Sequence, residues 1–157
     1  MLKIEHLTKV YSNGKKAVDD LSLVVEPGDI YGFIGANGAG KTSTIKSIVG
    51  IHDFDKGEIY ICGHSIRKEP LLCKKKMAFL PDNPDLYKNL TARQFLDFVA
   101  DIYRVSMEKR QAAIEKYSKM FELDTSLDQL ISAYSHGMKQ RLALIAALLH
   151  EPNLLSV

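Results

Sequence analysis

Apolar residues along the first 80 positions recur mainly at period two, and along the last 70 at spacings of three and four. Period two belongs to strands and period 3.6 to helices. Leu2, Ile4 and His6 alternate with Lys3, Glu5 and Leu7, a modest strand pattern. Ser12-Asn13-Gly14 reads as a turn. Leu21, Leu23 and Val25 alternate with Ser22, Val24 and Glu26, and Pro27-Gly28 stops that run. Ile30-Tyr31-Gly32-Phe33-Ile34 is a short apolar stretch of the kind that fills a buried parallel strand. A Gly-rich loop follows, then a helix pattern from Lys41 to about Val49 that ends at Gly50. Glu58 to Cys62 and Met77 to Leu80 are further strand candidates.

Thr91-Ala92-Arg93-Gln94 has capping-box spacing, and behind it Phe95, Phe98, Val99 and Ile102 form an i, i+3, i+4, i+7 stripe. Met107 to Phe121 reads as a second helix. Ser135 is placed to cap a third, with Leu142, Ile145, Ala146 and Leu149 as its stripe and Pro152 at its end. Leu154 to Val157 looks like the start of a buried strand. No internal repeat and no low-complexity linker interrupts this order, which predicts an α/β sheet domain with a helical insertion at about residues 84–134.

Composition narrows the class without naming it. The 157 residues are 46% hydrophobic and 25% charged, which excludes a disordered or collagen-like chain. Lys plus Arg is 21 against 19 for Asp plus Glu, too balanced to make a nucleic-acid or membrane-surface binder by charge alone. Cys62 and Cys73 lack metal-type spacing and fit a reducing compartment. The N-terminus mixes apolar and polar residues, with no secretory signal. The longest apolar run, Leu142 to Leu149, is far shorter than the ~20 residues that span a bilayer. Work at a membrane would need another chain to do the spanning.

Gly35-Ala36-Asn37-Gly38-Ala39-Gly40-Lys41-Thr42 matches G-x-x-x-x-G-K-[ST] at every fixed position. The chemistry demands these types. Glycines let consecutive backbone N–H groups curve around a phosphate chain without a Cβ in the way. The helix beginning near Lys41 turns its positive end to the same place. Lys41 is expected to reach the β- and γ-phosphates, and the Thr42 hydroxyl to ligate Mg²⁺. The residues from Gly35 to Ser43 are thus the candidate phosphate cradle, with Asn37, Gly38, Ala39 and Gly40 at its centre.

About 100 residues on stands Tyr134-Ser135-His136-Gly137-Met138-Lys139-Gln140-Arg141. This resembles the signature motif of ATP-binding-cassette (ABC) proteins, usually Leu-Ser-Gly-Gly-Gln before a basic, Gln-rich helix start. Ser135 and Gly137 match; Tyr134 stands for Leu, His136 for the first Gly and Met138 for Gln. A helix N-terminus with a Ser cap is a second anion site. The resemblance implies that Ser135, Gly137 and Met138 hold a phosphate of ATP bound on a second ABC ATPase subunit, so that each ATP is sandwiched across a dimer. It also implies that Tyr11 stacks on adenine, which gives affinity with little base selectivity. Phe79-Leu80-Pro81-Asp82 resembles the segment that leads to the family's Mg²⁺-contacting Gln; Asp82 holds that position, and a carboxylate still suits Mg²⁺. Leu86-Tyr87, Leu90-Thr91 and Phe95 resemble the helical subdomain of ABC exporters, which contacts membrane subunits.

The resemblance covers residues 1–157 and implies a division into a nucleotide-binding α/β core at 1–83, a helical subdomain at 84–134, and the signature helix with the start of the next strand at 135–157. The fold it implies is a P-loop NTPase-type sheet core with an N-terminal antiparallel β part and a helical insertion. The family's Asp and Glu at the end of the strand begun by Leu154, and its later γ-phosphate-sensing His, are not in the sequence, so no residue here is given a catalytic role. The expectation is an ABC ATPase domain cut about two-thirds through, continuing with Asp at position 158 and Glu at 159. A strand at Ile30 to Ile34 lacking one neighbour would then have an open edge and favour self-association.

The expected function is the ATP-binding subunit of an ABC transporter. It would bind ATP and Mg²⁺ and drive export through separate transmembrane permease subunits, from the cytoplasm at the inner face of the membrane. Two alternatives stand beside it. One is a nucleotide-binding fragment without turnover. The other is a soluble ABC protein acting on nucleic acid or ribosomes, against which the balanced charge and the lack of a basic stripe speak.

Overall fold

A computed structural model describes all 157 residues, in two compact units: Met1–Ala78 with Ser156, and Phe79–Leu155 with Val157. The first unit is built on an antiparallel sheet. β1 (Leu2–Val10) and β2 (Lys16–Val25) form a hairpin. β3 (Lys56–Ile61) pairs with the other side of β1, and the short β4 (His64–Ser65) closes the order β2-β1-β3-β4. Helix α1 (Lys41–Ile48) turns Ser43, Thr44, Ser47 and Ile48 inward, and α2 (Pro70–Lys76) buries only Cys73. Burial raises the pKa of that thiol, whose S–H donates to the His64 carbonyl at 3.2 Å. Ile4, Leu7, Ile59 and Ile61 are fully buried and form the centre of this unit's core.

Two sequence expectations change here. The β1 alternation breaks at His6, which is exposed with φ 51°, and Leu7 takes the buried side instead. A register shift between Ile4 and Leu7 marks the irregularity; an extra residue in one strand reverses which face each later side chain meets. The apolar stretch Ile30–Ile34 is not a strand, and Ile30 and Ile34 are fully exposed. An apolar segment becomes a buried strand only when neighbours supply ladder bonds and cover both faces, and no segment of residues 1–157 pairs with this one. Helix α2 carried no period in the sequence. Pro70 opens it, and Lys74, Lys75 and Lys76 lie in its last turn, where cations meet the negative helix end.

The second unit is helical. α3 (Ala92–Ile102), α4 (Met107–Met120) and α5 (His136–Leu148) share one core with two 3₁₀ turns, Asp124–Ser126 and Ile131–Ala133. The Thr91 capping box forms in full: the Gln94 N–H donates to Thr91 Oγ1 at 3.2 Å, and the Thr91 N–H to Gln94 Oε1 at 2.9 Å. The α5 stripe is buried as expected at Leu142, Ile145, Ala146 and Leu149. The α3 stripe is rotated. Ala92, Phe95, Leu96 and Ala100 are buried, whereas Phe98 and Ile102 are exposed. Residues 95, 96, 98, 99, 100 and 102 are all apolar, so two overlapping stripes compete and packing chooses between them. Two further short strands are β5 (Met77–Phe79) and β6 (Leu154–Ser156). No helix is long and apolar enough to cross a membrane.

Leu96 has no exposed surface and sits among the helical unit's core residues. Leu96→Ala is expected to destabilise that unit by about 2–5 kcal/mol through lost burial and the cavity left behind. A denaturant melt followed by helix signal checks this, and a change below about 1 kcal/mol contradicts the packing described.

Candidate functional site

Residues Gly35–Thr42 wrap into the turn that starts α1. The Ala39 N–H donates to the Ala36 carbonyl at 3.2 Å, and the first bond of the helix runs from the Thr44 N–H to the Gly40 carbonyl at 2.8 Å. The N–H groups of Lys41, Thr42 and Ser43 precede that bond and point out of the helix start. Gly40 is the N-cap, with φ 89°, and neither a side-chain cap nor an acidic residue neutralises the first turn. An uncapped positive helix end beside a glycine loop favours an anion.

Lys41 is half-buried, and its ammonium donates to the carbonyls of Gly35 at 2.5 Å and Ala36 at 2.9 Å. It therefore curls back over its own loop. Three consecutive hydroxyls differ in their partners. Ser43 Oγ lies 2.9 Å from the Tyr11 hydroxyl, and Thr44 Oγ1 donates to the Gly40 carbonyl at 3.0 Å. Thr42, exposed at the mouth of the loop, is the one left without an internal bond. A hard oxygen with both lone pairs free beside a phosphate cradle suits Mg²⁺. The motif alone gives Thr42 this role; the bonding of its two neighbours is an independent reason.

A cavity of 230 Å³ collects these groups, lined by Tyr11, Lys15, Ala17, Asn37, Gly38, Ala39, Gly40, Lys41, Thr42 and Ser43. Gly35 is not on its wall but holds Lys41 through its carbonyl. Tyr11 stands across the cavity on the β1–β2 hairpin. Its ring lies T-shaped to that of His52, with centroids 6.2 Å apart, and the Lys9 ammonium lies over it, 5.6 Å from its centre. The sequence reading found Tyr11 but missed Lys15 and Ala17. The Ser12–Gly14 turn was the available signal, because a hairpin that places Tyr11 at the site brings the residues after the turn beside it.

The remaining predicted residues belong to the helical unit. Asp82 lies in an exposed loop, and its backbone carbonyl accepts from Gln140 Nε2 at 3.2 Å. Ser135 is the N-cap of α5, its Oγ accepting from the Met138 N–H at 3.2 Å. Its hydroxyl proton stays available to an acceptor outside the chain. Gly137 is open: an added Cβ there would meet nothing within 4 Å. Met138 is half-buried against the helical core. Tyr134, in the place of the family's Leu, is a core residue. Its hydroxyl donates to the Ser126 carbonyl at 2.7 Å, and burial raises its pKa above the usual tyrosine value.

Comparison with known proteins identifies the family. Residues 18–157 match the family model described as ABC transporter. The bacitracin transport ATP-binding protein BcrA of Bacillus licheniformis is 39% identical over 155 residues, which are 99% of this chain and 49% of that protein. A solved structure described as the ATP-binding subunit of an ABC transporter superposes with a TM-score of 0.92 at 31% identity, covering 99% of this chain and 64% of the other. A dimeric post-hydrolysis state of the ATP-binding cassette MJ0796, bound to ADP and Pi, superposes with a TM-score of 0.85 at 25% identity, covering 99% and 72%. The chain spans about half the length of the curated relatives it matches.

Proposed function

The chain belongs to the ABC transporter family of ATP-binding domains, and on that premise we propose that it binds Mg-ATP and forms part of the ATP-binding subunit that powers export through separate membrane subunits. The observation that carries the reading is the loop itself: Gly35–Thr42 closing on an uncapped helix start, with Lys41 folded over it and Tyr11 across the cavity. The N–H groups of the loop and of the first turn of α1 hold phosphate oxygens. The Lys41 ammonium exchanges two neutral carbonyls for anionic oxygens, a stronger partnership. Tyr11 stacks on adenine, with Ser43 holding its hydroxyl. Thr42 and, as the resemblance implies, Asp82 would hold Mg²⁺, which would supply positive charge against the phosphates.

The same reading gives Ser135, Gly137 and Met138 a phosphate on a second copy of the domain, through the α5 N-terminus and the Ser135 hydroxyl. The open space at Gly137 supports close approach there. In the full-length form, hydrolysis in the assembled dimer would pass the γ-phosphoryl group to water mainly by positioning and electrostatic stabilisation. Export as the direction rests on the likeness of Leu86-Tyr87, Leu90-Thr91 and Phe95 to the helical subdomain of exporters. The similarity to a protein named for bacitracin transport supports a transport role. The protein then works in the cytoplasm, at the inner face of the membrane, held there by its permease subunits.

Calorimetric titration tests this. ATP is expected to bind at one site per chain, and Mg²⁺ to tighten that binding about tenfold in the parent but not in Thr42→Ala. A folded parent that takes up no ATP sinks the reading. Equal Mg²⁺ enhancement in both proteins removes Thr42 from the metal site.

A further inference from the structure

Among the side chains on the wall of the phosphate-loop cavity, Lys15 is the cation that no motif explains. Its backbone is fixed by the hairpin turn. The Tyr11 N–H donates to the Lys15 carbonyl at 2.9 Å, the Gly14 N–H to the Tyr11 carbonyl at 2.8 Å, and the Lys15 N–H to Asn13 Oδ1 at 3.1 Å. From there its side chain reaches toward the loop, its ammonium 3.9 Å from the point a Cβ on Gly38 would occupy.

The neighbouring lysine shows that this placement is not a general property of the turn. Lys16 Nζ donates to Asp19 Oδ2 at 3.0 Å, so its charge is matched within β2. Lys15 makes no ion pair, and no acidic side chain lines the cavity it enters. Two adjacent lysines thus have different fates: one is neutralised on the strand, and the other brings an unmatched charge to the glycine loop. Together with Lys41 the cavity holds two ammonium groups and no carboxylate. Such a cavity favours an anion more strongly as the anion's charge grows.

We propose that Lys15 is a second phosphate-binding cation, reaching over the Gly38 apex from the hairpin, and that it makes the site sensitive to the number of phosphates on the nucleotide. This rests on the nucleotide-binding reading above. One turn then serves both ends of the ligand: Tyr11 at its start faces the base, and Lys15 at its end faces the phosphates. The two residues are tied to each other by the Tyr11 N–H bond to the Lys15 carbonyl, so the hairpin sets the spacing of the two backbone positions from which ring and cation extend.

The experiment is calorimetric titration of ATP and AMP into the parent, Lys15→Ala, Lys15→Arg and Lys16→Ala, at low and at high salt. Lys15→Ala is expected to weaken ATP about tenfold and AMP about threefold or less. Lys15→Arg should stay within about twofold of the parent, since it keeps the charge. Lys16→Ala, with the same change in net charge, should bind as the parent does. The salt dependence of ATP affinity should be shallower in Lys15→Ala, because one screened contact is gone. Unchanged ATP affinity in Lys15→Ala overturns the proposal. So does an equal loss in Lys16→Ala, which would mean a diffuse field, or an equal loss for ATP and AMP, which would mean a structural role. A parent that binds no ATP is a different failure, because it removes the nucleotide reading itself.

Discussion

Lys41→Ala is expected to lower ATP affinity about 100-fold or more, on the order of 3 kcal/mol. The side chain is half-buried and already committed to the loop, so little conformational freedom is lost when phosphate arrives. An ammonium against phosphate oxygens at a partly desolvated helix start is among the stronger polar contacts available. The substitution has a second effect. It removes the donor shared by the Gly35 and Ala36 carbonyls, so the loop loses its internal clasp. Titration of ATP gives the affinity, and a thermal melt without nucleotide separates the two effects. Lys46→Ala, in the last turn of the same helix, is the control and should bind as the parent does. A folded Lys41→Ala protein with parental affinity refutes the cradle.

The phosphate loop was legible because its chemistry is written in consecutive residues. Eight positions in a row carry the glycines, the cation and the hydroxyl, and the helix that orients them starts at once. Ser135 was legible for a similar reason, since an N-cap is a local event. Lys15 was not legible, because its relation to the loop crosses more than twenty residues and exists only through a hairpin. Nor does any pattern tell Lys15 from Lys16. What distinguishes them is that Asp19 stands within reach of one and not of the other.

The fold shows the same division. α5 falls where its period and its Ser135 cap put it, and α4 (Met107–Met120) is within a residue of its expected span, because a helix is decided by its own residues and one packed face. The errors lie where tertiary context decides. His6 reverses the alternation of β1 through an irregularity that no residue type announces. On α3, Phe98 looks as buried as Phe95 in sequence, yet Leu96 and Ala100 face the core, and Phe98 packs edge-on to Tyr87 at 5.6 Å. Ile30–Ile34 has strand composition but no partner within residues 1–157, and a strand is a property of pairs.

The clearest test of the loop's architecture compares two glycines with nearly the same backbone. Gly38 has φ 85° and Gly40 has φ 89°, both in the left-handed region, where a side chain costs about 1–2 kcal/mol. Their surroundings differ. A Cβ at Gly38 would meet only the movable end of Lys15, at 3.9 Å. A Cβ at Gly40 would lie 2.1 Å from the Ala17 carbonyl oxygen, which is backbone in β2 and cannot swing aside. In nucleotide-free protein, Gly38→Ala is expected to cost about 1 kcal/mol. Gly40→Ala should cost about 3 kcal/mol or more, because the loop must lift from the hairpin in addition to bearing the strain. That displacement moves the start of α1 away from Tyr11, so the Tyr11–Ser43 hydroxyl contact and the shared wall of the cavity are lost together. Gly40→Ala should therefore lose ATP affinity about as severely as Lys41→Ala, although it removes no charge and no donor. Urea melts of the two glycine variants, with ATP titrations alongside, give the comparison. Equal destabilisation would mean that strain alone acts at both positions and that the contact between Gly40 and Ala17 does not hold the cradle in place.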